Sequence, residues 1–185
     1  MKSKTPLVIS IASVSGGGKT SSVLHLLKQL PKSKALFFDD YMFEGPQDVL
    51  AWVDEGANYA QWQLDPLVQD LKKLLIEPLE YILMDYPFAY QHPQLAGYID
   101  FAFFIDTPLD IALARRMQRD FMDSSTIEIM LQMQHNSKEG RRAYLEMLQT
   151  VLPDSDRVVD GTKSLDEISS EIATALSEIR KRADS

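Results

Sequence analysis

The chain has 185 residues, a formal net charge of −8, 45% apolar and 25% charged residues, and no cysteine. A chain of this length and composition fits one globular domain with one core, and its acidity leaves no global field to attract a nucleic-acid backbone, so DNA and RNA are not expected as partners. The lack of cysteine excludes disulfides, thiolate nucleophiles and sulfur-ligated metals.

Met1 to Pro6 carries two lysines, but the apolar run behind it, Leu7 to Ala12, is too short for the core of a signal peptide and leads straight into glycines. No stretch approaches the ~18 apolar residues of a bilayer span. A cytoplasmic protein without membrane partners is expected. Leu7 to Ala12 is short, apolar and β-branched, as suits a central strand buried on both faces. After the glycines, Thr20 to Leu30 places Val23, Leu24, Leu26, Leu27 and Leu30 at helical spacing, stopped by Pro31. Lys34 to Phe38 predicts a second strand, ending at Asp39-Asp40, and helices are predicted over Pro46–Glu55 and Leu64–Ile76 with a turn at Gly56 to Tyr59.

Tyr81 to Met84 is a third strand ending in Asp85, and Phe101 to Ile105 a fourth ending in Asp106. A helix is expected over Pro108–Asp120 with Thr107 as its N-cap, and Asp106 is read as structural beside it. A polar break follows at Asp123-Ser124. Ser125-Thr126-Ile127-Glu128 resembles a capping box opening a helix to about Leu148, with a fault near Gly140. Arg157 to Gly161 is a fifth, weaker strand, and a last amphipathic helix spans Ser164 to Arg182. Alternating apolar strands and helices predict an α/β fold: a three-layer α/β/α sandwich on a five-stranded parallel sheet. In such sheets ligands sit beyond the carboxyl ends of the strands, where the glycines and the acids all map.

Ser13-Val14-Ser15-Gly16-Gly17-Gly18-Lys19-Thr20 follows the pattern of a phosphate-binding P-loop (Walker A). Curling a backbone closely around a triphosphate needs positions without side chains, which Gly16, Gly17 and Gly18 supply, and the helix beginning after them adds its positive end. Lys19 would reach the β- and γ-phosphates and the Thr20 hydroxyl would take a Mg²⁺ position. Ser13 stands where the pattern has its first glycine, and it can make the turn if its φ is negative. Binding of Mg-ATP by Ser13, Ser15, Gly16, Gly17, Gly18, Lys19 and Thr20 is expected. Asp85 closes its strand as a Walker-B-type acid does, suited to holding Mg²⁺ directly or through water.

Arg115, Arg116 and Arg119 fall on one helix, where residues three or four apart share a face, and guanidinium groups hold phosphoryl oxygens bidentately. The alternative is a solvated basic face paired with Asp120 or Asp123. Taken together, Ser15 to Thr20, Phe38-Asp39-Asp40-Tyr41 and Leu113-Ala114-Arg115-Arg116-Met117-Gln118-Arg119-Asp120 resemble the uridine kinase and phosphoribulokinase-like branch of P-loop kinases over roughly residues 7 to 182. This resemblance implies a nucleoside kinase-like fold in a single domain over residues 1–185, with an acceptor-binding helical insertion at about 41–78 and a lid at about 115–125.

It also implies that Asp39 acts on the acceptor hydroxyl, that Asp40 contacts Mg²⁺ or the acceptor, and that Arg115, Arg116 and Arg119 close over ATP, with Arg116 and Arg119 in the catalytic role. Asp85-Tyr86-Pro87 departs from the glutamate and glycine common there. Trp52, Tyr59 and Trp62 would either stack on the acceptor or pack the insertion together. The expected function is ATP-dependent transfer to the hydroxyl of a small molecule, a nucleoside such as uridine first, and otherwise a nucleoside monophosphate, sugar or vitamin precursor. A monophosphate would need a further cationic subsite, for which Arg141, Arg142 and Lys138 are candidates. A regulatory NTPase is the competing class, weakened because Thr162-Lys163-Ser164-Leu165-Asp166 misses the Asn-Lys-x-Asp guanine-reading pattern by one residue. The histidines are scattered and form no metal cluster.

Overall fold

The computed structural model describes residues 6–183. Five parallel strands form one sheet: β1 (Leu7–Ala12), β2 (Ser33–Phe37), β3 (Tyr81–Asp85), β4 (Phe101–Asp106) and β5 (Arg157–Asp160), in the order β2-β3-β1-β4-β5. β1 is central, as its unbroken apolar run predicts: Val8, Ile9, Ile11 and Ala12 are all buried. Its pairing sets Ile11 level with Asp85 on one side and with Phe103 on the other. The strand-end acids therefore converge on the carboxyl edge of the sheet.

The two faces carry separate cores. Ile9, Ile11, Leu83, Phe103 and Ile105 pack with Val23 and Leu26 of α1 (Lys19–Gln29) and with Ile168, Ile172 and Leu176 of α8 (Leu165–Ala183). On the opposite face, Val8, Ile82, Met84, Ala102 and Phe104 pack with Trp52 of α2 (Val49–Asp54), with Leu67, Val68 and Leu71 of α3 (Asp65–Leu75), with Leu95 of α4 (Pro93–Ala96) and with Val151 of α7 (Arg141–Asp154). This is the three-layer α/β/α architecture expected from the sequence.

Three local expectations are corrected. The helix expected from Pro46 starts only at Val49, because the Asp48 carboxylate accepts the N–H groups of Leu50 and Ala51 and caps it there. Thr107 does not cap α5 (Leu109–Asp120); Pro108 stands at the cap, and the Thr107 hydroxyl donates to the Gly17 carbonyl at 2.9 Å. The helix expected to end near Leu148 continues to Asp154, and the fault near Gly140 is a π-helical segment, Asn136–Gly140, joining α6 (Thr126–His135) to α7. The capping box at Ser125 and Glu128 is present as read, with both reciprocal bonds made.

Candidate active site

The phosphate loop is tied at both ends to the end of β4. Ser13, 1% exposed, donates its hydroxyl to the Ile105 carbonyl at 2.9 Å, and Gly17 accepts the Thr107 hydroxyl. Ser13 is not among the residues with positive φ, so the turn out of β1 needs no glycine at this position. Its hydroxyl fills the space beside Gly17, where a Cβ would lie 1.7 Å away from it. Gly16 takes φ 83° and Gly18 φ 102°, and a Cβ at Gly16 would lie 2.1 Å from the Ala112 carbonyl of α5. The loop is thus seated under α5 at a distance only glycine permits. Gly18 caps α1 without any side-chain bond, so the amides of the first turn are left for an anion.

Lys19 and Thr20, the first residues of α1, meet Asp85 at the end of β3. Lys19 Nζ stands 2.9 Å from Asp85 Oδ1, and the Thr20 hydroxyl donates to Asp85 Oδ2 at 2.5 Å. Asp85 is only 2% exposed, so this ion pair and hydrogen bond are what keep a charged carboxylate stable in the interior. Both neighbours come from the start of α1, directly after the glycine loop.

The loop lines a cleft of about 690 Å³ together with Asp39, with Arg115, Gln118 and Arg119 of α5, and with Met122 in the turn that follows α5. Asp39 lies in the 3₁₀ turn Phe38–Asp40 that ends β2, and it is exposed. Ser15, Gly16, Gly18, Lys19, Thr20, Asp39, Arg115 and Arg119 are therefore brought together. Asp40 is exposed and does not line the cleft; its charge instead adds to burial and the Asp70 bond in raising the pKa of Tyr41, whose hydroxyl donates to Asp70 at 3.0 Å.

Arg115 reaches toward the Gly161 carbonyl, 3.5 Å from Nη2. Arg119 forks onto Asp120 at 2.6 and 3.0 Å, and this hydrogen-bonded partner, aided by the charges of Asp120 and Asp39, raises its pKa. Arg116 turns away from the cleft: its Nη1 donates to the Tyr144 hydroxyl at 2.8 Å and its Nε lies 3.6 Å from Asp120. Sequence reasoning missed Gln118 and Met122; Gln118 lies three residues after Arg115 on the same helix, a spacing that was available to find it, whereas Met122 lies in the turn beyond α5, which helical spacing does not reach. Asp106 is exposed at the end of β4, where its carbonyl accepts the Gly161 N–H.

Of the aromatic residues in the insertion, Trp52 and Tyr59 are core residues. They stack edge-on at 5.1 Å, the Trp52 indole donates to the Asn58 carbonyl and the Tyr59 hydroxyl bonds Thr150. Trp62 stays half-buried against Phe38 and Phe88. Arg142 is paired with Asp54, Arg141 is exposed, and the Lys138 side chain lies outside the described ones, as do residues Met1 to Thr5.

His92 is 1% exposed and caps α4, its Nδ1 accepting the Gln94 N–H and its Nε2 meeting the Trp62 carbonyl at 2.8 Å. Burial lowers its pKa, against smaller upward effects of the Trp62 carbonyl and Asp65. The neutral ring is favoured by the fold, while the unfolded chain takes up a proton near its ordinary value of about 6.5. This residue's contribution is accordingly present above pH ~6.5 and declines as pH falls from there through the lower folded value. Urea titrations of wild type and His92→Gln between pH 7.5 and 5 should show a steeper loss of stability for the wild type; parallel pH profiles would count against this.

This sheet order, loop and strand-end acid define a P-loop α/β/α fold, one that solved small-molecule kinases share. No family model matches the chain. The chain is similar to the uridine kinase of Streptococcus equi subsp. zooepidemicus (strain MGCS10565), 24% identical over 212 residues that cover 95% of this chain and 99% of that protein. Among solved structures it matches a gluconokinase from Sinorhizobium meliloti 1021 with TM-score 0.57 and 16% identity, covering 97% of each chain. It also matches the shikimate kinase of Aquifex aeolicus VF5 with TM-score 0.51 and 16% identity over 93% of this chain and 97% of that one. The uridine kinase-like resemblance and the P-loop kinase fold read from the sequence both hold. Among the described residues, no helix is long and apolar enough to cross a membrane.

Proposed function

We propose that the protein is an ATP-dependent small-molecule kinase that passes the γ-phosphoryl group of Mg-ATP to an acceptor hydroxyl. The observation that carries this reading is that Asp39 lines the same cleft as Lys19 and Thr20 of the phosphate loop and as Arg115 and Arg119. In this reading the Asp39 carboxylate orients the acceptor O–H and takes its proton, the acceptor oxygen bonds to the γ-phosphorus, and the bond from that phosphorus to the β,γ-bridging oxygen breaks to release ADP. Lys19, Arg115 and Arg119 meet the charge on the transferring oxygens, and Arg116 serves at one remove.

The donor set near the loop suits a hard cation. The Thr20 hydroxyl and a buried Asp85 carboxylate oxygen lie together, both hard oxygen donors of the kind Mg²⁺ takes. Bound there with the nucleotide, Mg²⁺ would neutralise phosphate charge. Among the described residues no three or more His, Asp or Glu side chains gather into a metal site, which accords with a cation that completes its shell with phosphate oxygens and water. Exposed Asp40 lies outside the cleft lining and has no part in this arrangement.

A nucleoside such as uridine is the first acceptor. The full-length similarity to a uridine kinase supports it, as does the aromatic cluster of Phe38, Trp62, Tyr86 and Phe88, whose member Phe38 directly precedes Asp39. Within that cluster the Tyr86 hydroxyl and Trp62 Nε1 are buried without a hydrogen-bond partner, each at a cost of about 1–3 kcal/mol. A heteroaromatic base has edges that satisfy such groups. A sugar or hydroxy acid is the second reading, favoured by the polar lining of the cleft at Gln118 and Arg119 and by the fold shared with gluconokinase and shikimate kinase.

Labelled Mg-ATP incubated with panels of nucleosides, nucleoside monophosphates, sugars, hydroxy acids and vitamin precursors tests this, the expected result being label transfer to one class. Bound ATP without transfer to any acceptor would overturn the kinase reading, and steady hydrolysis without an acceptor would favour a regulatory NTPase.

A further inference from the structure

We infer that Tyr144 is a positioning residue for the phosphate site, locking α7, the phosphate loop and α5 into one rigid unit. The inference deepens the kinase reading and rests on it for the occupant of the cleft. Tyr144 is 8% exposed and forms a small apolar cluster with Val14 of the phosphate loop and Ala112 of α5. Both neighbours control the loop directly: the Val14 carbonyl accepts the Gly17 N–H at 2.9 Å, and the Ala112 carbonyl is the atom that keeps Gly16 free of a side chain. The ring is therefore wedged at the seam where loop and helix meet.

Its hydroxyl adds direction, because it accepts Arg116 Nη1 at 2.8 Å. Successive residues of an α-helix are turned by about 100°. Holding Arg116 toward α7 leaves Arg115 and Arg119, which share the neighbouring face, pointing into the cleft with Gln118. A rotation of α5 by one residue would exchange Arg116 for them. Tyr144 thus selects the face of α5 that the cleft receives.

The other end of α7 is fastened to the acceptor half of the molecule. Thr150 bonds Tyr59, and Gln91 donates to the Thr150 carbonyl at 3.2 Å and to Asp154 at 2.9 Å, while in the same first turn as Tyr144, Arg142 pairs with Asp54 of α2. One helix consequently carries the insertion, the loop and the arginine face, with Tyr144 as its contact to the last two.

The test is calorimetric titration of the full chain with Mg-ATP and with Mg-ADP, for wild type, Tyr144→Phe, Arg116→Gln and the double variant, beside thermal unfolding of each. Tyr144→Phe keeps the ring and removes only the hydroxyl, while Arg116→Gln breaks the same tie from a half-exposed position, so one serves if the other folds poorly. The expected result is that each single variant weakens Mg-ATP binding about tenfold and Mg-ADP binding less than about twofold, because the misdirected arginines face the γ-phosphate. The double variant should be no weaker than Arg116→Gln alone, since that change already removes the Tyr144 bond together with the approach to Asp120. Equal losses for ATP and ADP, additive losses, or no loss would overturn the inference, since general loosening does not discriminate between the nucleotides. Wild type that binds neither nucleotide would instead bring down the kinase reading, and this inference with it.

Discussion

Lys19→Ala is expected to abolish detectable Mg-ATP binding and to leave the circular dichroism spectrum unchanged. The ammonium group directly follows the loop glycines and stands 2.9 Å from Asp85, whereas the other cations of the lining, Arg115 and Arg119, come from α5. Removing it leaves the phosphates facing the Asp85 carboxylate without the charge that now balances it, so the variant loses an attraction and exposes the ligand to a repulsion. Loss of one such preorganised donor commonly lowers turnover by about 10²–10³-fold, and more is expected here because binding itself fails. The fold should survive, since Asp85 keeps its bond from Thr20 and α1 is held by Val23 and Leu26 in the core. Isothermal titration with Mg-ATP checks the result; retained binding would remove Lys19 from the phosphate site.

Asp39→Asn has an equally large effect of a different kind. Asparagine keeps the shape and a hydrogen bond to the acceptor hydroxyl but cannot take its proton, which should lower kcat for label transfer by about 10²–10⁴-fold. Asp39 is exposed and stands on the turn after β2, not on the phosphate loop, so Mg-ATP affinity should stay within about twofold, or rise slightly as a negative charge leaves the neighbourhood of the phosphates. Transfer assays and nucleotide titrations on the same preparation separate the two quantities. A parallel loss of ATP binding would place Asp39 on the nucleotide rather than the acceptor.

The parts of the molecule that depend on local pattern were legible in the sequence. β1, the glycine loop and α1 follow from a buried apolar run, a spacing of small residues and a helical repeat, and each boundary lies within a residue of its expected place. Asp39 and Asp85 follow because parallel strands deliver their last residues to one edge. What depends on partners far along the chain was not legible. Arg116 has the same local credentials as Arg115, and only Tyr144, 28 residues later, decides that it faces α7. Thr107 has every local qualification for an N-cap, yet Gly17, 90 residues earlier, takes its hydroxyl. Trp52 and Tyr59 suit a binding site and a core equally well until Asn58 and Thr150 are seen to satisfy their polar atoms.

The helix α6 differs from its continuation α7 in one respect that concerns the molecule's energy landscape. No residue of α6 is buried, and Ile127, Met130, Leu131 and Met133 all stand exposed, whereas α7 is rooted by Tyr144 and Val151. Local stability tracks buried apolar contact, so the chain carries a steep gradient across the π-helical segment between them. Opening α6 gives up no buried side chain, but it costs the capping box, the helix's own backbone bonds and the half-buried seat of Ile129 beside Met117, Gln118, Phe121 and Met122. Partial unfolding is therefore expected to begin at α6 and to touch the cleft first at Gln118 and Met122, which line both the cleft and the hollow against Ile129, before it reaches the phosphate loop.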